Sequence, residues 1–291
     1  MILSLSIPYA NQKGDEESIV MIDRSSPEFV EALARGISVL EAFDAADPEM
    51  TLADLSRKLD MPIATVRRNV LTLEALGFIR RHNKHFLLAP RILSLGSSYL
   101  NAFGVEEAVM PELQRLTSLF GDAANMAVLD GMNVLYVAHI SESRGVRRTA
   151  SLGVTYPAFA TSMGRVLLAS LPADDVDGYF REFSPVKLTD YTVTEEAGLR
   201  DILAEVRVKG YSITVDQLDY GITAIAVPVK DATGRTVCAI NSSGYTPRLT
   251  SDELLEQRLP ELRLAANRIS QLFSRMPALL HSLTPAIGAL K

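Results

Sequence analysis

Several features are absent from the sequence, and each absence argues against a class of protein. The chain has one cysteine, Cys238, so an internal disulfide framework is excluded. No apolar run approaches the roughly 20 residues that a membrane-spanning helix needs. The apolar opening MILSLSIPYA lacks the basic segment and the cleavage signature of a signal peptide, and we do not expect it to be one. These features predict a cytoplasmic protein with no membrane partner.

Sequence motifs of common enzyme classes are also missing. The four histidines do not have the spacing of a metal site, and the chain contains no G-x-S-x-G, P-loop or G-x-G-x-x-G motif. Cys238 lies within the apolar run TVCAIN, where a buried thiol is more often a packing residue than a nucleophile. We therefore predict that the protein is not an enzyme and binds no metal or other cofactor.

The net charge of −6 argues against general affinity for nucleic acid, but the basic residues are unevenly distributed. Between Arg57 and Arg91 the chain has eight lysines and arginines and only two acidic residues. A local basic segment in an acidic protein is typical of a discrete DNA-binding module.

Residues 26–89 have the pattern of three helices followed by a hairpin. Apolar residues recur at helical spacing over 29–43, and Thr51 is expected to cap the short helix TLADLSRKLD. A third helix, 62–75, should end at Gly77. The run FIRRHNKHFLLA then predicts two short strands about the polar turn HNK. This order is typical of a winged helix-turn-helix, and a plain three-helix bundle with a hairpin is the alternative.

The third helix has an apolar face and a cationic face. At about 100° per residue, its apolar residues form a narrow stripe that we expect to be buried, namely Ile63, Val66, Val70 and Leu73. Arg68 lies opposite the stripe and is predicted to read a base in the major groove, where arginine can bind guanine through two hydrogen bonds. Arg67 lies to one side and is predicted to bind a phosphate or a base near the edge. Two solvated surface arginines are the alternative.

The predicted DNA-binding surface extends from the third helix to the hairpin. Small and hydroxyl-bearing residues flank the helix arginines, and the basic hairpin can lie along the minor groove or the backbone. Exposed hairpins are also often basic for solubility alone. The predicted surface comprises Ala64, Thr65, Arg67, Arg68, Thr72, Arg80, Arg81 and Lys84.

The rest of the chain mixes helices and strands, which predicts an α+β fold. Strands are expected at AANMAVLDG, NVLYVAHIS, GVRRTASLG, GYSITVDQ, ITAIAVPVKD and TVCAINSSG. Helices are expected at SMGRVLLASL, PADDVDGYFREF and EEAGLRDILAEVRVKG, and a last one begins near Ser251, its expected N-cap. We predict a mobile leader at 1–25, a linker helix at 90–104, an effector-binding and oligomerisation domain at 105–275 and a tail at 276–291.

Polar groups at strand ends and at a helix start predict a small-ligand pocket in this second domain. Residues 161–164 lead into a helix, whose first backbone N–H groups can bind a carboxylate. Asn241 and Ser243 alternate on one face of a strand. Such groups suit a small organic anion. Ordinary helix capping and strand-end polarity would explain them equally well.

Three stretches resemble the IclR family of bacterial transcriptional regulators: LADLSRKLDMPIATVRRNVLTLEALGFIRR, YPAFATSMGRVLLASLP and KGYSITVDQLDYGITAIAVPVKDATGRTVCAINSSG. The TSMGRVLLA and AIN-x-S forms are similar to the branch that controls aromatic-acid breakdown, with effectors such as protocatechuate and 4-hydroxybenzoate. The resemblance implies a winged helix-turn-helix, a linker helix and a GAF-like antiparallel sheet with helices. It also implies a homodimer, or a dimer of dimers, that binds palindromic double-stranded operator DNA under control of a small organic acid.

The resemblance further implies which residues contact the effector. The matching positions are Ser162, Met163, Thr214, Ile222, Ala224, Asn241 and Ser243. Two of them depart from the family pattern, because Thr214 stands where many members have an aspartate and Asn241 replaces a serine. Both changes leave the identity of the effector open, and the choice between activation and repression is open as well. A small-molecule-binding module or enzyme without a DNA-binding role is the alternative function.

Overall fold

The structure is a computed structural model that describes residues 7–9, 20–22, 24–141 and 151–283. The chain divides into two compact units, Met1–Ala102 and Phe103–Lys291. Most of the predicted mobile leader lies outside the described residues. The predicted domain limits stay predictions, since this division does not test them.

The first unit has its helices and strands in winged helix-turn-helix order, as predicted. Its elements are β1 (Ile7–Tyr9), β2 (Val20–Ile22), α1 (Glu31–Glu41), β3 (Glu49–Met50), α2 (Leu52–Lys58), α3 (Ile63–Ala75), β4 (Ile79–His82), β5 (His85–Leu88) and most of α4 (Leu93–Phe103). Strands β1 and β2 form an antiparallel pair, and β3, β5 and β4 form a three-stranded antiparallel sheet, the wing. The short strand β3 was not expected, because its residues read as part of a polar break.

Local sequence explains where these elements begin and end. The Asp54 N–H donates to Thr51 Oγ1 (3.3 Å) and the Thr51 N–H donates to Asp54 Oδ2 (3.1 Å), which closes a capping box at the start of α2. Gly77 ends α3 at a φ of 80°, which glycine adopts without strain. Asn83, at a φ of 57°, makes the turn between β4 and β5.

The core of the first unit lies between the three helices and the wing. Its buried residues are Val39, Ala42, Met50, Leu55, Val66, Val70, Leu73, Ile79 and Phe86. Ile63 was predicted to lie in the buried stripe of α3, but this prediction is wrong, since its side chain is 54% exposed. Ile63 is the first residue of α3, and the core beneath the stripe begins one turn later, at Val66.

The second unit is built on one antiparallel sheet. Its elements are α5 (Val105–Ala108), α6 (Met110–Phe120), β6 (Ala123–Asp130), β7 (Asn133–Ile140), β8 (Thr155–Pro157), α7 (Ser162–Ala169), α8 (Ala173–Arg181), α9 (Glu196–Lys209), β9 (Ser212–Val215), β10 (Ile222–Lys230), β11 (Thr236–Tyr245), α10 (Leu259–Phe273) and α11 (Pro277–Leu283). The six strands follow the order β8-β7-β6-β11-β10-β9. Every neighbouring pair is antiparallel, which confirms the predicted α+β class.

Helices pack against both faces of this sheet. Helix α7 contacts β6, β10 and β11 and shares a core with Ala127, Ala226 and Ala239, while α6 and α10 also contact the sheet. Ser242, on the opposite face of β11, accepts a hydrogen bond from Arg258 just before α10. In the part of the chain that the structure describes, no helix is long and apolar enough to cross a membrane.

Two expected elements differ in detail from the structure. The strand expected at 145–153 falls largely on residues outside the described part, and the strand that pairs with β7 is β8. Ser251 is not the cap of the last helix, because the Glu253 N–H donates to Thr250 Oγ1 (3.2 Å). A π-helical segment, Glu253–Arg258, then precedes α10.

Candidate nucleic-acid interface and ligand pocket

The outward face of α3 carries two exposed arginines. Arg67 and Arg68 are exposed, and among the described residues neither guanidinium makes an ion pair or a hydrogen bond. Ala64 is exposed beside them, and Ile63 adds an exposed apolar side chain. A duplex could approach this face, since the protein's first unit does not cover it.

The two threonines predicted for this surface lie on its flank. Thr65 and Thr72 line an apolar groove between α1 and α3, together with Leu33 and Ile37. The Thr72 hydroxyl also donates to the backbone carbonyl of Arg68 (2.9 Å). Arg68 lines the same groove, Thr65 is half-buried and Thr72 is exposed, so both threonines lie beside Arg68.

The basic residues of the wing differ in whether they form an ion pair. Arg80 and Lys84 are exposed and have no ion-pair partner within the described ranges. The Arg81 guanidinium donates to both carboxylate oxygens of Glu74 (Nη2–Oε2 2.8 Å, Nε–Oε1 3.2 Å) and lies 5.0 Å from the centre of the Phe86 ring. Arg81 was predicted to contact DNA, and this stays a prediction, since its half-exposed guanidinium is paired with Glu74 and joins the wing to α3.

Two further basic residues are neutralised within the first unit. Lys58 pairs with Asp44 (2.7 Å) and Asp47 (2.8 Å), and Arg57 pairs with Asp54 (3.3 Å). Among the described residues, the uncompensated positive charge of the basic segment therefore lies on the outward face of α3, on the wing and at Arg91. Local positive charge of this kind favours contact with a polyanion.

The second unit contains a partly open cavity between the start of α7 and the polar end of the sheet. Its empty volume is about 440 Å³ when the mouth is included. The residues around it are Asn125, Tyr136, Tyr156, Ala160, Thr161, Ser162, Thr214, Leu218, Ile222, Ala224, Asn241 and Ser243. The lining combines aromatic and aliphatic walls with a few polar groups, which is typical of a small-molecule site.

The helix start at α7 presents hydrogen-bond donors to this cavity. The Gly164 N–H donates to Thr161 Oγ1 (3.0 Å), so Thr161 caps the helix. The Ser162 hydroxyl is buried and has no hydrogen-bond partner among the described residues. A side chain at Gly164 would overlap the backbone of Ala158, so glycine allows α7 to approach the preceding turn closely.

A row of polar side chains crosses three strands beside the cavity. Asn125 on β6 pairs in register with Asn241 on β11 and with His139 on β7. His139 Nδ1 lies 2.6 Å from Asn125 Oδ1, and Asn125 Nδ2 lies 2.7 Å from Asn241 Oδ1. Asn125 Nδ2 is also 3.5 Å from Ser243 Oγ. The two buried amides are therefore oriented by a continuous chain of hydrogen bonds.

Further charge and phenol groups shape the electrostatics of this region. Arg165, one turn after Ser162, is buried and donates to Phe159 O (2.8 Å) and Gln217 Oε1 (2.7 Å). It makes no ion pair with a carboxylate within the described part of the chain, and burial lowers its pKa to about 10, so it keeps its positive charge at neutral pH. Burial raises the pKa of Tyr136 and of Tyr156, so both phenols stay protonated.

The cavity brings together most of the residues predicted to contact an effector. Ser162, Thr214, Ile222, Ala224, Asn241 and Ser243 all line it. Met163 does not, because the next residue along α7 points about 100° away from Ser162, into the core, where Met163 is fully buried. Met163 is therefore not among the residues that line the cavity.

Sequence reasoning missed several cavity residues. Asn125 could have been noticed as a polar residue inside the apolar strand AANMAVLD. Tyr136 and Tyr156 come from neighbouring strands, and their rings meet edge to face at 5.2 Å. His139, which does not line the cavity but contacts Asn125, had been considered only as a metal ligand, and no group of possible metal ligands is found among the described residues.

Two domain families match the chain. The family described as IclR helix-turn-helix domain matches residues 32–83. The family described as Bacterial transcriptional regulator IclR C-terminal matches residues 97–271, which is more than half of the chain. Together they match part of the first structural unit and most of the second.

Individual proteins are similar over most of this length. The Pca regulon regulatory protein of Pseudomonas putida is 35% identical over 243 residues, which cover 83% of each chain. The crystal structure of a transcriptional regulator from Rhodococcus sp. RHA1 matches with a TM-score of 0.72 and 37% identity, over 84% of this chain and 98% of that one. A double mutant of the PobR inducer-binding domain from Acinetobacter, in complex with 3-hydroxybenzoic acid, matches with a TM-score of 0.52 and 32% identity, over 56% of this chain and 95% of that one.

Proposed function

The chain belongs to the IclR family of bacterial transcriptional regulators, and on this basis we propose that it controls a catabolic operon in response to a small aromatic acid. It acts in the cytoplasm on double-stranded operator DNA and carries out no enzymatic step. The observation that carries the proposal is the pair of arginines on the exposed face of α3, which have no partner among the described residues and lie within a segment that is strongly basic in an acidic chain.

Helix α3 enters the major groove with Arg68 directed at the base edges. A guanidinium without an internal partner is free to bind guanine O6 and N7 at once. Arg67, Arg80 and Lys84 bind phosphates, so they add affinity but little sequence preference. Ala64 allows close approach of the helix backbone, and Thr65 and Thr72 lie at the edge of the contact. Arg81 orients the wing through Glu74.

The cavity of the second unit is the effector site. A carboxylate bound at the start of α7 would receive hydrogen bonds from the Ser162 hydroxyl and from first-turn N–H groups, and it would lie near the positive charge of Arg165. The walls formed by Tyr136 and Tyr156 suit an aromatic ring with a hydroxyl substituent. The 3-hydroxybenzoic acid complex of the similar PobR domain supports an aromatic acid.

The functional form is a homodimer or a dimer of dimers. A two-fold dimer would place two copies of α3 about 34 Å apart, one turn of DNA, on a palindromic operator. The effector changes transcription by binding one arrangement of the protomers more tightly than another. The difference between these two affinities limits how far the effector can shift the equilibrium between the arrangements.

The proposal is tested by binding of the full-length protein to the DNA directly upstream of its own gene. Anisotropy titrations at several salt concentrations should give a steep loss of affinity with salt and a clear preference over random DNA of equal length. Addition of 3-hydroxybenzoate, 4-hydroxybenzoate or protocatechuate should change the affinity or the stoichiometry. Indifference to DNA together with tight binding of an acid would instead identify a ligand-binding module.

A further inference from the structure

We propose that His139 is a positioning residue that sets the hydrogen-bond polarity of the effector pocket, so that the pocket takes a carboxylate in preference to a neutral carboxamide. The inference rests on the proposed function of the cavity as the effector site. It concerns a residue that does not line the cavity and that acts through two buried amides.

The argument begins with the strand register. His139, Asn125 and Asn241 lie directly opposite one another on β7, β6 and β11. Directly opposed side chains on one face of a sheet lie within hydrogen-bonding reach of each other. Asn125 and Asn241 are 1% and 3% exposed, so solvent does not compete for their amide groups.

The orientation of each amide determines that of the next. Asn125 Oδ1 faces His139 Nδ1, and because an amide oxygen only accepts, the hydrogen of this bond is on Nδ1. Asn125 must then donate through Nδ2, and Asn241 accepts through Oδ1. The group of Asn241 that remains for the cavity is Nδ2, a donor.

The polar end of the cavity therefore presents donors. Besides Asn241 Nδ2, it has the Ser162 hydroxyl, which has no partner among the described residues. The Ser243 hydroxyl can also donate, because its oxygen accepts from Asn125 Nδ2. An ionised carboxylate is an acceptor only, so it matches such a lining. The NH2 group of a carboxamide would face one of these donors. Two buried donors that face each other are unfavourable, because neither is hydrogen-bonded.

The direction of these hydrogen bonds reverses if the side chain at position 139 can only accept a hydrogen bond. Asn125 would then turn its NH2 group towards residue 139 and its oxygen towards Asn241. Asn241 would in turn donate to Asn125 and present Oδ1 to the cavity, where it would face the oxygen of a carboxylate. The same oxygen would accept from the NH2 group of a carboxamide.

A matched pair of variants separates donor from acceptor at this position. In His139→Asn the side-chain amide can place an N–H where Nδ1 lies, and in His139→Asp an isosteric carboxylate places an acceptor there. Calorimetry on the full-length protein would compare 3-hydroxybenzoate, 4-hydroxybenzoate and protocatechuate with their carboxamides. Thermal unfolding and operator binding of each variant would verify that it is folded.

Wild type should prefer the acid over its amide by about tenfold or more, and His139→Asn should keep that ratio within about threefold. In His139→Asp the ratio of acid affinity to amide affinity should fall at least about tenfold. The amide should bind His139→Asp more tightly than it binds wild type. The added negative charge cannot explain a gain for a neutral ligand.

Two results would overturn the inference while the effector site stands. One is an unchanged ratio in His139→Asp, and the other is an equal loss of both ligands in both folded variants, which would indicate a packing role. If wild type binds none of the acids, the proposed effector class is wrong, and the role of His139 falls with it.

Discussion

The guanidinium of Arg81 lies 2.8 Å from the carboxylate of Glu74, so the wing is joined to the last turn of α3. Its neighbour Arg80 has no such partner in the described chain. Two adjacent arginines of one strand therefore differ in their surroundings, since Arg81 is paired with Glu74 and Arg80 has no ion-pair partner among the described residues.

Arg80→Ala should weaken DNA binding without affecting the fold. Loss of one phosphate contact reduces the slope of log affinity against log salt by about 0.9, and a surface substitution changes the free energy of unfolding by about 0.5 kcal/mol or less. Anisotropy titrations at several salt concentrations check the slope. An unchanged slope would remove Arg80 from the DNA contact.

Arg81→Ala should lower the stability of the first unit by up to about 1 kcal/mol, because its ion pair with Glu74 is partly exposed. The pair is isolated by a double-mutant cycle with Glu74→Gln, measured by urea unfolding. If Arg81 acts through Glu74, then Arg81→Ala has little further effect in the Glu74→Gln background. Additive effects would contradict the bracing role.

Gly164→Ala should destabilise the second unit by about 1–3 kcal/mol or more, because the new methyl group would overlap the backbone of Ala158. Gly198→Ala in α9 is the matched control. There the nearest atom is a Val193 methyl at 3.6 Å, and alanine stabilises a helix by up to about 1 kcal/mol relative to glycine. Equal unfolding free energies for the two variants would contradict the close approach of α7.

Ser162→Ala should separate ligand affinity from stability. The buried hydroxyl has no hydrogen-bond partner in the part of the chain that the structure describes, so its removal should leave the unliganded protein as stable as wild type or more so by about 1–3 kcal/mol. Affinity for an aromatic acid should fall about tenfold. Ser170→Ala, at the other end of α7, is the control and should not alter affinity. A destabilised variant with unchanged affinity would show that the hydroxyl has a structural partner.

The pH dependence of the first unit should include a contribution from Asp44. The hydrogen bond from Lys58, followed by those from the Asp47 and Ala46 N–H groups, lowers its pKa from 3.8 to about 2. Because the folded pKa lies below the unfolded value, this contribution is present above pH 3.8 and is lost as the pH falls towards 2. NMR titration of the Asp44 carboxyl carbon measures it, and a midpoint near 3.8 would contradict the contacts.

The elements of both units could be predicted from sequence where the signal is local. Thr51 and Gly77 bound their helices through capping and backbone preferences that depend on a few neighbouring residues. Burial was harder to predict. Ile63 lies on the apolar stripe of its helix but is exposed, and Met163 was expected at the ligand pocket but is buried in the core. Periodicity gives the direction of a side chain and not the extent of the core.

The polar row beside the cavity lay beyond sequence reasoning for another reason. Asn125 and Asn241 are 116 residues apart, and only the strand order β6-β11 makes them neighbours. His139 also has no spacing that relates it to a pocket residue. Such contacts depend on sheet register, which a single sequence specifies only weakly.

A base-substitution scan of the operator with wild type and Arg68→Ala tests the central claim most directly. The account predicts that wild type loses about 1–3 kcal/mol of binding free energy when one particular guanine in each half-site is replaced. The variant should bind more weakly and should no longer distinguish the bases at that position, while its preferences elsewhere persist. An Arg68→Ala variant with the affinity and base preferences of wild type would contradict the account.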